Sequence, residues 1–220
     1  MAARRLKLIV EGEEDKFAII ELMGHHTEWP DDKRSAPVWI EVGGSYSEIL
    51  AEGFITAKFR ESGTEILGIV LDADQDFDGR WQRIRTICAE IFNVVPETID
   101  GRGLILQEED TGPRLGFWIM PDNHSHGMLE TFLQELVRKD DGSLLDYTEA
   151  VVMEARTLGA TWKDTHSDKA RIHSLLAWLD PPGQALGRAI TSRTLDPAAE
   201  SGRPFIDWFL KLYDLPRLPE

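Results

Sequence analysis

The stretch LGIVLDADQD, residues 67–76, decides how the chain is read. An apolar run ends abruptly in Asp72, Asp74 and Asp76, three acids at alternate positions. EILGIVL (65–71) is apolar on both faces, the pattern of a central parallel strand covered by helices on both sides. In an extended chain residues two apart point the same way. If the strand continues past Leu71, three carboxylates crowd together and raise one another's proton affinity. A bound cation would remove that repulsion.

The same grammar extends outward. LKLIV (6–10) and VWIEV (38–42) are two more short apolar strands. EEDKFAIIELMG (13–24) reads as a helix, with acids in its first turn where the dipole favours them and Gly24 as a stop. A helical stretch over 46–62 follows the second strand, and another from about Gly79 to Phe92 follows the third. This alternation predicts an α/β domain with a mainly parallel sheet and right-handed crossovers. After Val94 the rhythm changes. GLILQ (103–107) and LGFWIM (115–120) flank EEDTGPR, whose Thr-Gly-Pro signals a turn, and read as two strands that could pair as a hairpin. MLETFLQELVRK, 144–158, 168–180 and PFIDWFLKLY read as helices, with PPGQALGRAI as a break. The expected organisation is one compact unit: an α/β core over 1–155 and a helical C-terminal elaboration over 156–220.

Composition narrows the partners. No run approaches the roughly 18 apolar residues of a membrane helix, and MAARRLKLIVEGEED reads as a first strand, not a signal peptide. The single cysteine excludes an internal disulfide and a cysteine-rich zinc ribbon. Cys88 falls on a helical stripe with Trp81, Ile84 and Ile91, the spacing of a core position. A cytoplasmic protein is the default. The formal charge of −15 argues against a chain that coats nucleic acid unaided, because non-specific binding is phosphate neutralisation. Residues 156–203 hold seven Lys/Arg and five Asp/Glu, a local net of +2.

In open α/β sheets ligands bind beyond the carboxyl ends of the strands. Three sets of acids fall there: Glu11 after the first strand, Asp72, Asp74 and Asp76 after the third, and Asp122 after FWIM. Clustered oxygen ligands suit Mg²⁺ or Mn²⁺. Acids at strand ends are common because loops are solvated, so one DxD is weak evidence; its pairing with EGxxD singles it out.

IVEGEED with LDADQD resembles the Toprim (topoisomerase–primase) domain, which carries a Glu after the first strand and a DxD after the third. The spacing of about sixty residues fits that domain. GFWIMPDNHSHGMLETFL and HSDKARIHSLLAWLDPPGQALGRAI resemble a small bacterial Toprim-related family. A more distant similarity is to nuclease domains of the overcoming-lysogenization-defect type. The resemblance implies that Glu11, Asp72 and Asp74 hold metal and take part in catalysis. It implies that Glu130, in GMLE, is a further metal-binding acid and that Lys169 is a catalytic lysine. Asp15, the second acid of EGxxD, orients the loop or caps the helix.

Other residues carry plainer readings. His124 and His126 beside Asp122 are ligand candidates or solvated loop histidines. His25 and His26 follow a helix C-terminus, where imidazolium satisfies the dipole. His166 and His173 bracket Lys169, which borders the Ile172–Leu175–Leu176–Leu179 stripe and could simply snorkel.

The resulting expectation is divalent-metal-dependent phosphodiester hydrolysis: a DNA or RNA nuclease, with phage defence and a partner ATPase or self-assembly as the context implied by resemblance. The alternative is a non-catalytic Toprim module that binds metal or nucleotide and regulates an ATPase. A topoisomerase or full primase is disfavoured for want of a tyrosine-bearing domain or zinc segment, and a receiver-like domain for want of a late-strand lysine.

Overall fold

The computed structural model describes residues 5–30, 32, 35–109 and 111–219. The first half runs β1 (Leu6–Val10), α1 (Glu13–Gly24), β2 (Trp39–Val42), α2 (Tyr46–Ile49), α3 (Phe54–Phe59), β3 (Ile66–Asp72) and α4 (Phe77–Ala89). β4 (Leu104–Gln107) and β5 (Arg114–Met120) precede the helices α5 (Leu129–Gln134), α6 (Gly142–Thr157), α7 (Ser167–Trp178), α8 (Leu186–Thr191) and α9 (Arg203–Tyr213). The strands form one sheet in the order β2-β1-β3-β5-β4. All neighbours are parallel except β4, which pairs antiparallel with β5 as a hairpin. Val10 lies opposite Val42, and Asp72 opposite Met120, so four strands end along one edge. Among the described residues no helix is long and apolar enough to cross a membrane.

Each face of the sheet carries its own core, as the two-sided apolar pattern of β3 requires. Ile9, Leu67, Ile69, Leu71, Phe117 and Ile119 pack beneath α2, α3 and α4. Trp81, Ile84 and Cys88 are buried there with Ile91 packed alongside, and burial pushes the Cys88 thiol up to about 12, an unreactive position. Leu8, Val10, Val70, Trp118 and Met120 form the other face and share one buried cluster with residues of α1, α5, α7, α8 and α9. The segment 156–220 thus supplies much of one core layer, and α6 runs across residue 155.

α9 reaches the middle of the sheet because two glycines make room. Gly68 and Gly116 sit in register on β3 and β5. A Cβ on Gly116 would lie 2.6 Å from Leu212 Cδ2, and one on Gly68 would lie 2.3 Å from Tyr213 Oη. The Tyr213 hydroxyl donates to the Lys7 carbonyl at 2.7 Å, locking the helix over the strands. Gly116→Ala should therefore cost about 1–3 kcal/mol, the usual penalty of overpacking. The loss should shrink in a Leu212→Ala background when measured by urea denaturation. Equal losses in both backgrounds would show that Leu212 is not the obstacle.

Three local readings are corrected. The stretch 46–62 is not one helix, because Gly53 adopts φ +79° and splits it into α2 and α3. The segment read as a break contains α8: Pro181, Pro182 and Gly183 end α7, and then Leu186, Ala189 and Ile190 are buried at helical spacing. The extended chain does not continue through the three acids. Asp72 closes β3, Asp74 turns at φ +50°, and the Asp76 carboxylate caps α4 by accepting from the Gly79 N–H at 2.9 Å. Alternation therefore fails at Asp74, and the three side chains do not share one face.

Candidate functional site

The carboxyl edge of the sheet is built around Glu11. Its Oε1 accepts from the Asp72 N–H at 2.8 Å and its Oε2 from the Tyr46 N–H at 2.9 Å. One side chain thus ties the ends of β1 and β3 to the start of α2. Asp72 Oδ1 accepts from the Leu129 N–H, 2.9 Å, at the first turn of α5. Asp15, in the first turn of α1, accepts from the Gly12 N–H at 3.0 Å and closes the EGxxD loop. Glu130, only 4% exposed, follows Leu129 on α5. Lys169 of α7 spans the opening, with Nζ 2.6 Å from Glu14 Oε2 and 3.1 Å from Glu130 Oε1. The neighbouring Asp168 fixes α7 to α5 by accepting from the Thr131 hydroxyl at 2.6 Å.

This arrangement gathers acids in a poorly solvated place. Burial raises the Asp72 carboxyl well above the ordinary carboxylate range, and Asp15, Glu11 and Glu130 add like charge. Burial likewise lifts Glu11 to about 7 against the two backbone N–H bonds that favour its charge. Asp15 rises to about 6, again chiefly by burial, with Glu130 adding to it and Lys169 opposing. At Lys169 burial works against the ammonium, but Glu14 and Glu130 outweigh it and hold the pKa above the usual lysine value. Lys169 is therefore a fixed charge at neutral pH, not a proton carrier, and its side chain is engaged with acids where a snorkelling lysine would face only water.

Asp74 is engaged by a cation, while its charge still adds to the proton affinity of Glu11. Its Oδ2 accepts from Arg80 Nη2 at 2.8 Å, and Arg80 Nε also donates to the Asp72 carbonyl at 3.2 Å. The guanidinium, on a residue 7% exposed, lies 3.1 Å from the centroid of the Tyr46 ring. Asp74 is also held by its backbone, which exchanges two hydrogen bonds with Gly127. Consequently Glu11, Asp72 and Asp74 do not bring ligand atoms within 4.8 Å of one another. Among the described residues the group that does is Glu14, Glu130 and His173.

Sequence reasoning missed Arg80 and Glu14, whereas helical spacing alone puts His173 one turn from Lys169 on the same helix face. The available signal for Arg80 was slight: an arginine one turn into the helix after DxD.

The remaining candidates lie elsewhere. Asp122 serves its own loop, accepting from the N–H groups of His124 and Ser125 and from the Ser125 hydroxyl. The His124 ring stays beside that carboxylate, Nε2 3.1 Å from Oδ2. His166 stands at the start of α7. His25 and His26 sit at the far end of α1, and the imidazolium expected there is disfavoured. Burial lowers both pKa values, and Arg193 and Arg217 respectively lower them further.

Glu11, Asp15, Asp72 and Glu130 offer only oxygen, the donor type a hard divalent cation takes, and burial disfavours the charged forms of Glu11, Asp15 and Asp72. Among the described residues, however, no three of these four acids bring ligand atoms within 4.8 Å of one another, and Lys169 pairs with Glu130. No curated protein and no solved structure matches the chain. A family model does match, over residues 5–214, and the chain belongs to that family, described as a protein of unknown function, DUF3226.

Proposed function

We propose that the chain is a Toprim-type, Mg²⁺- or Mn²⁺-dependent phosphodiesterase acting on DNA or RNA. One observation carries the reading: at the ends of adjacent parallel strands the Glu11 carboxylate accepts from the Asp72 N–H, in a partly buried acid cluster with Asp15 and Glu130. Buried carboxylates with raised proton affinity are the arrangement a cation relieves. Glu11, Asp72 and Glu130 are the acids assigned to the ion, which would have to draw together ligand atoms that do not lie within 4.8 Å of one another, while Asp74 is held by Arg80. The bound cation would supply activation of water and neutralisation of phosphate charge. Asp15 keeps the Glu11 loop in place through Gly12. Lys169 places a permanent positive charge where charge develops on phosphate oxygens.

A second reading rests on the internal cations. Arg80 already neutralises Asp74, and Lys169 already bridges Glu14 and Glu130. A site closed in this way suits a metal- or nucleotide-binding module that regulates a partner ATPase. A net charge of −15 also leaves a polyanionic substrate to be held by a partner or by self-assembly, in a context such as phage defence.

The purified full chain should nick plasmid DNA, or cleave single-stranded DNA or RNA, slowly at low salt with Mg²⁺ or Mn²⁺. EDTA should stop the reaction, and rising salt should suppress it steeply. Mg²⁺ binding by calorimetry with no cleavage of any substrate, with or without an ATPase partner, would favour the regulatory module. Neither binding nor cleavage would remove both readings.

A further inference from the structure

A cavity of about 410 Å³ opens at the other end of α1. Its walls come from three places: His25 and His26 after α1, the loop from Arg193 to Arg203 between α8 and α9, and the tail at Arg217–Pro219. The tail is fixed there, since the Leu218 N–H donates to the His26 carbonyl at 2.8 Å and the Thr27 hydroxyl to the Pro216 carbonyl at 2.9 Å. His26 Nε2 holds the opposite wall through the Pro197 carbonyl at 2.8 Å. The cavity is thus tied together on three sides by hydrogen bonds.

Its charge runs against that of the molecule. In a chain of net −15, Arg193, Arg203 and Arg217 line one cavity, with Asp196 the one acidic lining residue among the described residues. Asp196 is partly committed, accepting from the Ala198 N–H at 2.9 Å, and Arg217 pairs with Asp207 on α9. Arg193 disfavours protonation of His25, and Arg217 that of His26, each in addition to burial, while Glu21 and Asp207 respectively act against them. The size is that of a small-molecule site, lined by four charged side chains, two histidines and an apolar remainder. Ten residue steps along α1 separate Asp15 from its C-cap His25, roughly 15 Å at the helical rise. The cavity is therefore distinct from the acid cluster and does not depend on its reading.

We propose that this cavity binds a small phosphate-bearing ligand, with Arg193, Arg203 and Arg217 on the anionic group and Leu218 and Pro219 beside the organic part. Arginine suits this task because its planar, always-charged fork matches phosphate oxygens.

The test uses the full chain in EDTA, so that the acid cluster cannot bind phosphate through a metal. ADP and inorganic pyrophosphate are the probes, and adenosine is the uncharged control. Calorimetry should show ADP and pyrophosphate binding and adenosine failing to bind. Arg193→Gln, which keeps the exposed backbone position and removes the charge, should weaken ADP at least tenfold, and Arg193→Gln with Arg217→Gln should abolish it. Asp72→Asn should leave ADP affinity unchanged. The proposal is overturned if the arginine variants, shown folded by circular dichroism, bind ADP as wild type does. It is equally overturned if Asp72→Asn abolishes binding, or if a 5′-phosphorylated oligonucleotide requires Arg193 while ADP and pyrophosphate do not bind.

Discussion

Asp72→Asn should abolish metal-dependent cleavage and, in the metal-free protein at pH 8, raise stability. The two effects have one cause. Asp72 resists ionising in the cluster, through burial first and then through Asp15, Glu11 and Glu130. Native-state pKa values above the unfolded ones mean that the folded protein binds more protons than the unfolded chain, so stability falls as pH rises. For Glu11 and Asp15 that window runs from their ordinary values of 4.5 and 3.8 up to about 7 and 6. The stabilisation is complete below about pH 4 and gone above pH 7. Each shift corresponds to at most about 3 kcal/mol, and the coupled sum is smaller than the parts. Removing the Asp72 charge should return roughly 1–3 kcal/mol at pH 8, a rise of several degrees in Tm for a chain of this size. Mg²⁺ should stabilise wild type by mass action and leave the variant nearly unmoved. Thermal melts from pH 5 to 8, with EDTA or Mg²⁺, check each part. A variant less stable than wild type at pH 8 in EDTA would show that Asp72 serves the fold and not a cation.

Lys169→Ala should lower the cleavage rate by about 10²–10³ at saturating metal, the usual cost of removing one donor aimed at developing charge. The tertiary structure adds a consequence that the helix stripe did not suggest. Glu130 is 4% exposed and Lys169 lies 3.1 Å from it, so truncation strands a buried carboxylate. Breaking a buried pair costs about 3–5 kcal/mol. Because Lys169 is itself partly exposed, water will screen part of that, and roughly 1–3 kcal/mol is expected. Lys169→Arg should recover stability more fully than rate, since it restores charge but not the compact ammonium. Single-turnover rates and urea midpoints on both variants separate the two roles. Wild-type cleavage by Lys169→Ala would take Lys169 out of the reaction and leave it a structural cation.

The strands and their acidic ends could be read without coordinates because that information is local. LKLIV, VWIEV, EILGIVL and LGFWIM are short apolar runs bounded by turn residues, and they fall at β1, β2, β3 and β5. A strand with two buried faces announces a parallel sheet wherever its partners lie. It follows that Glu11 and Asp72 sit at one edge, and their meeting at 2.8 Å needs only that β1 and β3 be neighbours.

What sequence left open depended on residues far apart in the chain and on single backbone angles. Asp74 departs from the alternating pattern because it turns at φ +50° and Arg80 takes its carboxylate, a pairing that no period-2 rule contains. The seat of α9 was hidden because Gly68 and Gly116 lie inside two strand runs, and only packing shows that Leu212 and Tyr213 fill the space they leave. Glu14, Glu130, Lys169 and His173 converge from three helices, and only packing brings them together. The proton affinities of Glu11, Asp15 and Asp72 belong to the same class. Their largest cause is desolvation, and how much water a carboxylate loses is set by every element folded around it, not by its neighbours in sequence.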